Sequence, residues 1–392
     1  MFELSLDAYQ SAGVGAVVLI AGFFLVKHSP LLRKYCIPAA VIGGLVFSLI
    51  MLVTYEADIM EVTFDNTFSD LCMRVFFCSV GFLASFSMLR SGGRILTVMV
   101  VMIIVLVTLQ NVIGVTAVSL FGQDPKYGLA LGSISLCGGH GTAAAYGSLL
   151  VEEYGLVGAD VVAIASATFG LAIAGFMGGP LAGQLIKRNG LHPESATLES
   201  TEEKEQPIVN ERFLKALILI VICMGAGTFV NAGLDGVGIT VPGYFGALVV
   251  AIVVRNVADL SGYEVPEKEI EVVGWICLCV FLAMALMAMK LWQLASLATT
   301  MIVTLLIQTV VLAAFVYYIV FRLTGRNYES AALCAGTVGF GMGATPNAVA
   351  NVEALMLEHG PAPMAYFMIP ILGGVFMDII NVSILTVFLN VL

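Results

Sequence analysis

Apolar residues run along this chain in long stretches, separated by short polar loops. The stretches cover 8–26, 36–54, 71–89, 95–121, 127–150, 160–186, 213–232, 240–257, 272–291, 294–321, 330–351 and 362–391. Each approaches or exceeds the ~20 residues a helix needs to cross a bilayer. The alternation of a membrane β-barrel strand is missing, so the pattern predicts an all-α polytopic membrane protein. Two stretches differ from the rest. The run 127–150 carries Ser135-Leu136-Cys137-Gly138-Gly139-His140-Gly141-Thr142 in its middle, and 330–351 carries Gly339 to Asn347 with three glycines and a proline. At roughly 1 kcal/mol per glycine and 3 per proline in a helix interior, both should break there.

Composition sharpens this picture. Of 392 residues, 59% are hydrophobic and 11% charged, against about 25% charged in soluble domains. That excludes a soluble enzyme, a disordered chain and a disulfide-built secreted domain. The net charge of −10 argues against nucleic acid as a partner. The eight cysteines lie in or beside apolar runs and read as small core residues. Residues 1–10 hold Glu3 and Asp7 without Lys or Arg, so no basic leader region is visible.

The few charges also select a topology, because Lys and Arg concentrate on the cytoplasmic side. With the N-terminus outside, Lys27, Arg33 and Lys34 fall inside, and the acidic loop Glu56–Asp70 falls outside. Arg90 and Arg94 are inside again. If 127–150 crossed the membrane, Lys187 and Arg188 would lie outside. If it enters, turns at its glycines and leaves on the same side, they lie inside. The same treatment of 330–351 keeps Arg322 and Arg326 inside. Of 17 basic residues, only Lys126 and Lys290 are then external, with Arg74 inside a span near Asp70. The expectation is ten transmembrane helices plus two re-entrant hairpins, with both termini outside.

A polar stretch, 187–212, rich in Glu (Glu194, Glu199, Glu202, Glu203, Glu205), reads as a cytoplasmic linker between 1–186 and 213–392. The halves share an order of landmarks. Each has a proline at the head of its second span (Pro38, Pro242) and a mid-span glutamine (Gln110, Gln308). Each then has a glycine turn before a tyrosine (Gly122 to Tyr127, Gly325 to Tyr328), a broken hairpin, and a last glycine-bearing span. Five spans per half turn the second copy upside down. Such inverted repeats build sites at the membrane midplane that open to either side, although a duplicated scaffold would carry the same pattern.

The hairpin tips carry the chemistry. Thr142, ahead of three alanines, suits a helix N-cap; Thr345 suits an N-cap and Pro346 the first helical position. A helix N-terminus presents unpaired N–H groups and a partial positive charge, which binds carboxylates. Two facing ends can hold a dicarboxylate without a buried lysine, and the sequence offers only His140 and Arg74 as deep basic groups. Close helix packing at glycines is the plainer alternative. His140 suits either a substrate hydrogen bond or a structural one. Asp378, with Asn381 on the same face, suits Na⁺, a substrate ammonium, or an internal partner. Gln110, Asn111 and Gln308 suit cavity lining or interhelical hydrogen bonding equally.

At these tips the chain resembles the bacterial sodium/glutamate symporter family. The resemblance rests on Ser135–Ala144 (SLCGGHGTAA) and Gly339–Asn351 (GFGMGATPNAVAN). It is supported by Leu89–Arg94, Phe281–Met287 and Lys290-Leu291-Trp292, and it runs from the first span to Asn381. It implies Na⁺-coupled uptake of L-glutamate across the bacterial inner membrane, by a homodimer with an elevator-like motion and no cofactor. The candidate substrate-binding residues are Ser135, Gly138, Gly139, His140, Gly141, Thr142, Gly341, Gly343, Thr345, Pro346, Asn347, Asn351 and Asp378. The candidate Na⁺ ligands are Gln110, Asn111, Gln308, Asp378 and Asn381. Competing readings are a carrier of another dicarboxylate or acidic amino acid, one coupled to H⁺, a channel, and an intramembrane hydrolase using Ser133 or Ser135 with His140 and Asp378. The chain lacks HExxH and a second deep aspartate, so it is not expected to be an enzyme.

Overall fold

The computed structural model describes residues 2–29, 38–85, 93–193, 210–237, 241–292 and 297–392. Arg33, Lys34, Cys36, Arg90 and the linker's Glu194, Glu199, Glu202, Glu203, Lys204 and Glu205 lie outside them. In chain order the elements are β1 (Phe2–Leu6), α1 (Ala8–His28), α2 (Ala39–Glu56), β2 (Met60–Phe64), α3 (Thr67–Leu83) and α4 (Gly93–Leu120). Then follow α5 (Tyr127–Ala130), α6 (Ser133–Leu136), α7 (Gly139–Glu152), α8 (Ala159–Asn189), α9 (Asn210–Asp235), α10 (Phe245–Ser261) and α11 (Glu267–Met287). The last are α12 (Ala298–Leu323), α13 (Tyr328–Met342), α14 (Thr345–His359) and α15 (Pro363–Val391).

Among the described residues, eight helices are long and apolar enough to cross a membrane. Two further helices, α3 and α10, have 17 residues each, at the short end of the spanning range. The protein is therefore a helical, multi-pass membrane protein. One departure is a small parallel sheet that pairs Phe2 with Met60 and Leu6 with Phe64. Its strands are too short and too close to polar residues to stand out beside the spans. The outer faces of the helices remain apolar: Ile20, Val221, Val310 and Phe367 are each about two-thirds exposed, as lipid contact requires.

The chain divides into two compact units, each drawn from both sequence halves. The first comprises 1–84, 140–165 and 210–299; the second comprises 85–139, 166–209 and 300–392. In the first unit, helices approach through glycines. A Cβ on Gly22 would lie 1.9 Å from the Ala39 carbonyl oxygen, and one on Gly227 2.4 Å from the Ala247 nitrogen. Small residues let backbones meet where lipid supplies no hydrophobic drive between helices. Phe77 stacks on Tyr244 at 3.7 Å, and Tyr146 meets Tyr244 edge-on. Buried cysteines fill the same layers, with Cys78 and Cys223 in one apolar cluster. All seven described cysteines are free.

The second unit packs around Leu106, Leu312, Val316, Leu333, Val338 and Phe340. Its last two long helices each contain a π-helical turn, at Val316–Val320 in α12 and Leu372–Phe376 in α15. Pro370 lies inside α15 just before the second, where a missing N–H interrupts the regular ladder.

Candidate functional site

Both glycine-bearing runs break, as their composition requires. The second does so cleanly: α13 ends at Met342, Gly343 turns out of the helix, Ala344 is extended, and α14 starts at Thr345. The arms then fold against each other, and a Cβ on Gly339 would lie 2.2 Å from the Ala348 Cα. The first run breaks twice, at Leu131-Gly132 and at Cys137-Gly138. Gly139 follows at φ +59°, a conformation glycine adopts without penalty.

Two capping assignments need correction. The helix after the first tip begins at Gly139, so Thr142 lies inside α7 and does not cap it. Glycines 139 and 141 continue the helix because α7 is buried against neighbours; Gly141 packs near Phe76 and Leu278. At the second tip Ala344 is the N-cap, with no side-chain hydrogen bond, and Thr345 and Pro346 are the first two helical residues. Proline tolerates that first turn because its missing N–H would have had no partner there. A third correction concerns deep basic groups. Arg255, 8% exposed, is buried as well, paired with Asp259 at 3.1 Å and with Glu267.

Within the second unit the two tips meet. A Cβ on Gly139 would stand 3.1 Å from the Gly343 carbonyl oxygen. Gln110 Nε2 donates to the Gly341 carbonyl at 2.7 Å, and Cys137 Sγ donates to Gln110 Oε1 at 3.0 Å. Gln308 Nε2 donates to the Gln110 carbonyl at 2.8 Å. The mid-span glutamines thus fasten α4, α12 and the second tip to one another.

The break at Leu131-Gly132 is fastened in the same way. Asn111 Oδ1 accepts from the Ser133 N–H at 3.0 Å, and Asn381 Nδ2 donates to the Ser133 carbonyl at 3.1 Å. Ser135 Oγ donates to the Ala130 carbonyl at 2.6 Å. These bonds leave several buried atoms without a protein partner: Ser133 Oγ, Gln308 Oε1, Asn381 Oδ1 and Asn111 Nδ2. Ser133, Asn381 and Asn111 are wholly inaccessible and Gln308 nearly so. Orphaned groups of this kind cost about 1–3 kcal/mol each unless something else meets them.

The other candidates divide between the units. Asn347 Nδ2 donates to the Leu171 carbonyl at 2.9 Å and leaves its Oδ1 unpartnered. Asn351 Nδ2 donates to the Ala174 and Ala335 carbonyls, each at 3.2 Å. Both tie α14 to α8. Thr345 sits beside Gly373 on the π-turn of α15, and a Cβ there would lie 2.9 Å from its Oγ1. Asp378 is half-buried just beyond that turn. Ser135, Gly138, Gly139, Gly341, Gly343, Thr345, Pro346, Asn347, Asn351 and Asp378 therefore share the second unit. His140, Gly141 and Thr142 belong to the first, where His140 and Thr142 are buried. Arg74 and Asp70 line a first-unit cavity of about 780 Å³ that also takes in Glu152, Asp160 and Asp235. Among the sequence candidates Ser133 stands only as a possible hydrolase nucleophile; its orphaned hydroxyl lies at the break after Leu131-Gly132, which a lone glycine in an apolar run signals only weakly.

A multi-pass helical protein with two broken helix pairs meeting at their tips belongs to the class of membrane transport proteins with discontinuous helices. Sequence comparison makes this specific. The pattern of the sodium/glutamate symporter family matches residues 4–361, and the chain belongs to that family. It is 38% identical to the sodium/glutamate symporter of Escherichia coli K12 over 99% of this chain and 98% of that protein. It is 36% identical to the sodium/glutamate symporter of Haemophilus influenzae over 97% and 96% respectively.

Proposed function

We propose that this protein is a sodium-coupled symporter that imports L-glutamate across the bacterial inner membrane by alternating access. The observation that carries this reading is the approach of Gly139 to the Gly343 carbonyl, which joins the two tips in a chain similar over its length to named sodium/glutamate symporters. Glutamate lies at these tips. Its carboxylates are held by N–H groups at the start of α14 and at Gly138-Gly139, helped by Thr345 and Asn347. Asp378 faces the substrate ammonium or the ion.

Na⁺ prefers oxygen ligands. Of the oxygens first considered, those of Gln110 and Asn111 accept hydrogen bonds from within the protein. Beside Asp378 the set narrows to Gln308 Oε1 and Asn381 Oδ1, with Ser133 Oγ added, these three all buried and unpartnered. An ion here would relieve their desolvation cost and lock the broken first hairpin. Na⁺ binding would in this way favour the substrate-ready arrangement.

The architecture belongs to the same proposal: ten spans, two re-entrant hairpins, inverted repeats 1–186 and 213–392, external termini, a cytoplasmic linker 187–212, and a homodimer working as an elevator. Several contacts support parts of it. Tyr328 Oη, at the start of α13, donates to the Gly360 carbonyl, just past α14, at 2.5 Å. Glu329 accepts from the Met364 and Ala365 N–H groups. The second hairpin therefore begins and ends together, as a re-entrant pair does. The hairpins start at Tyr127 and Tyr328, each after a glycine of positive φ, Gly122 and Gly325, as repeats would.

The test is uptake of labelled glutamate by proteoliposomes. An imposed inward Na⁺ gradient should drive accumulation, and K⁺ or proton gradients should not. A panel with aspartate and succinate separates an acidic amino acid carrier from a dicarboxylate carrier. No accumulation under a Na⁺ gradient would end this reading.

A further inference from the structure

The second unit holds a pocket of about 740 Å³ that the transport site does not use. It forms where α4 begins, α12 ends and α15 begins, and Arg94, Arg322, Ile95, Val98, Met364 and Phe367 line it. Three spanning helices end together there, so it sits at the level where the apolar core of the bilayer gives way to headgroups.

Its chemistry is two-sided. Arg94 and Arg322 supply two guanidinium groups, and none of the lining residues is acidic. Arg322 lies 5.9 Å from the Tyr318 ring centre, and among the described residues neither arginine makes an ion pair. One carboxylate of this region, Glu329, is engaged by the Met364 and Ala365 N–H groups at the head of α15. That contact also occupies the helix N-terminus, so the arginines are the free anion-binding groups. The rest of the wall is apolar and open, with Phe367 68% exposed.

We propose that this pocket binds an anionic phospholipid. The phosphodiester sits between the Arg94 and Arg322 guanidiniums, which match phosphate oxygens in paired hydrogen bonds. One acyl chain lies along Ile95, Val98, Met364 and Phe367. A soluble phosphate would satisfy the arginines alone and leave that apolar wall unused. Basic pockets between spanning helices at the membrane surface commonly take acidic headgroups in this manner.

The test uses the full-length protein in detergent, with phosphatidylglycerol, phosphatidylcholine or inorganic phosphate added. Native mass spectrometry counts retained lipid and thermal unfolding reports stabilisation. The wild type should retain phosphatidylglycerol and be stabilised by it, and by neither of the other two. Arg94→Lys with Arg322→Lys keeps the charges that set topology but removes the paired geometry, and should weaken phosphatidylglycerol binding about tenfold. Val98→Trp keeps both arginines and fills the apolar wall, and should weaken it as well. Equal retention of phosphatidylglycerol by wild type and both variants overturns the proposal. So does stabilisation by inorganic phosphate equal to that by phosphatidylglycerol with Val98→Trp silent, which would assign the pocket to a soluble anion.

Discussion

At the scale of single residues, the proposed ion site is drawn from atoms left over after hydrogen bonding. Ser133 is the sharpest case. Its backbone is bonded on both sides, to Asn111 and Asn381, while its hydroxyl has no protein partner. If that hydroxyl were only a misplaced polar group, Ser133→Ala would be neutral or stabilising. As a Na⁺ ligand, its loss should raise the Na⁺ concentration for half-maximal uptake by about tenfold, with the melting temperature little changed. An unchanged Na⁺ midpoint in uptake assays would remove Ser133 from the ion site and leave symport itself untouched. Gly139 offers a second case. Alanine there would pay about 1–2 kcal/mol for a left-handed backbone and press on the Gly343 carbonyl. Gly139→Ala should lower the initial uptake rate, whereas Gly179→Ala, with open space around it, should not. Equal rates for the two variants would deny the tip contact a role.

At the scale of elements, backbone proximity does what side-chain bulk does in a soluble core. The arms of the second hairpin touch at Gly339 and Ala348. Gly339→Val should therefore force them apart and cost about 1–3 kcal/mol, seen as a lower unfolding temperature in detergent; an unchanged value would contradict that packing. The head of α3 depends instead on a carboxylate. Asp65 Oδ1 accepts from the Thr67 N–H at 2.8 Å, and hydrogen bonding to Thr67 holds its carboxyl below the ordinary 3.8. A depressed value means that this support is present above about pH 4 and is lost as pH falls through the folded value. Asp65→Asn should flatten that part of the acid-side decline in stability, and a variant with the wild-type slope would exclude Asp65 as its source. The apolar runs made the helices legible from sequence, because run length and bilayer thickness constrain each other. Breaks were legible where glycines cluster, at Gly138-Gly139 and Gly343. The break at Leu131-Gly132 was not, since one glycine rarely ends a helix; here Asn111 and Asn381, distant in sequence, compensate it. Thr142 misled for a related reason. Burial of α7 overrides the poor propensity of its glycines, so the helix starts before its apparent cap.

At the scale of the whole molecule, the two compact units interleave the sequence halves, and one of the five points where the chain passes from one to the other falls between Gly139 and His140, within the first tip. The proposed alternating access therefore makes a specific demand. A crosslink bridging the units should abolish uptake while leaving Na⁺-dependent glutamate binding measurable, and retained uptake would argue against relative movement of the units. The small sheet and one ion pair also act as a parity check on the number of membrane crossings. Parallel pairing of residues 2–6 with 60–64 holds both segments on one face, so an even number of crossings, α1 and α2, must separate them. Lys290 reaches Glu61 at 2.9 Å, beside the stacked Tyr55 and Trp292, so residues 61 and 290 also share a face. With α3 and α10 crossing as proposed, six helices (α3, α4, α8, α9, α10 and α11) lie between them, an even count only if the broken run α5–α7 contributes no net crossing. This one ion pair thus supports the proposed re-entry of the first hairpin by odd and even counting, independent of where the basic residues fall. Disulfide formation between cysteines placed at 61 and 290 would register the even count, and labelling of the two positions from opposite faces would break it.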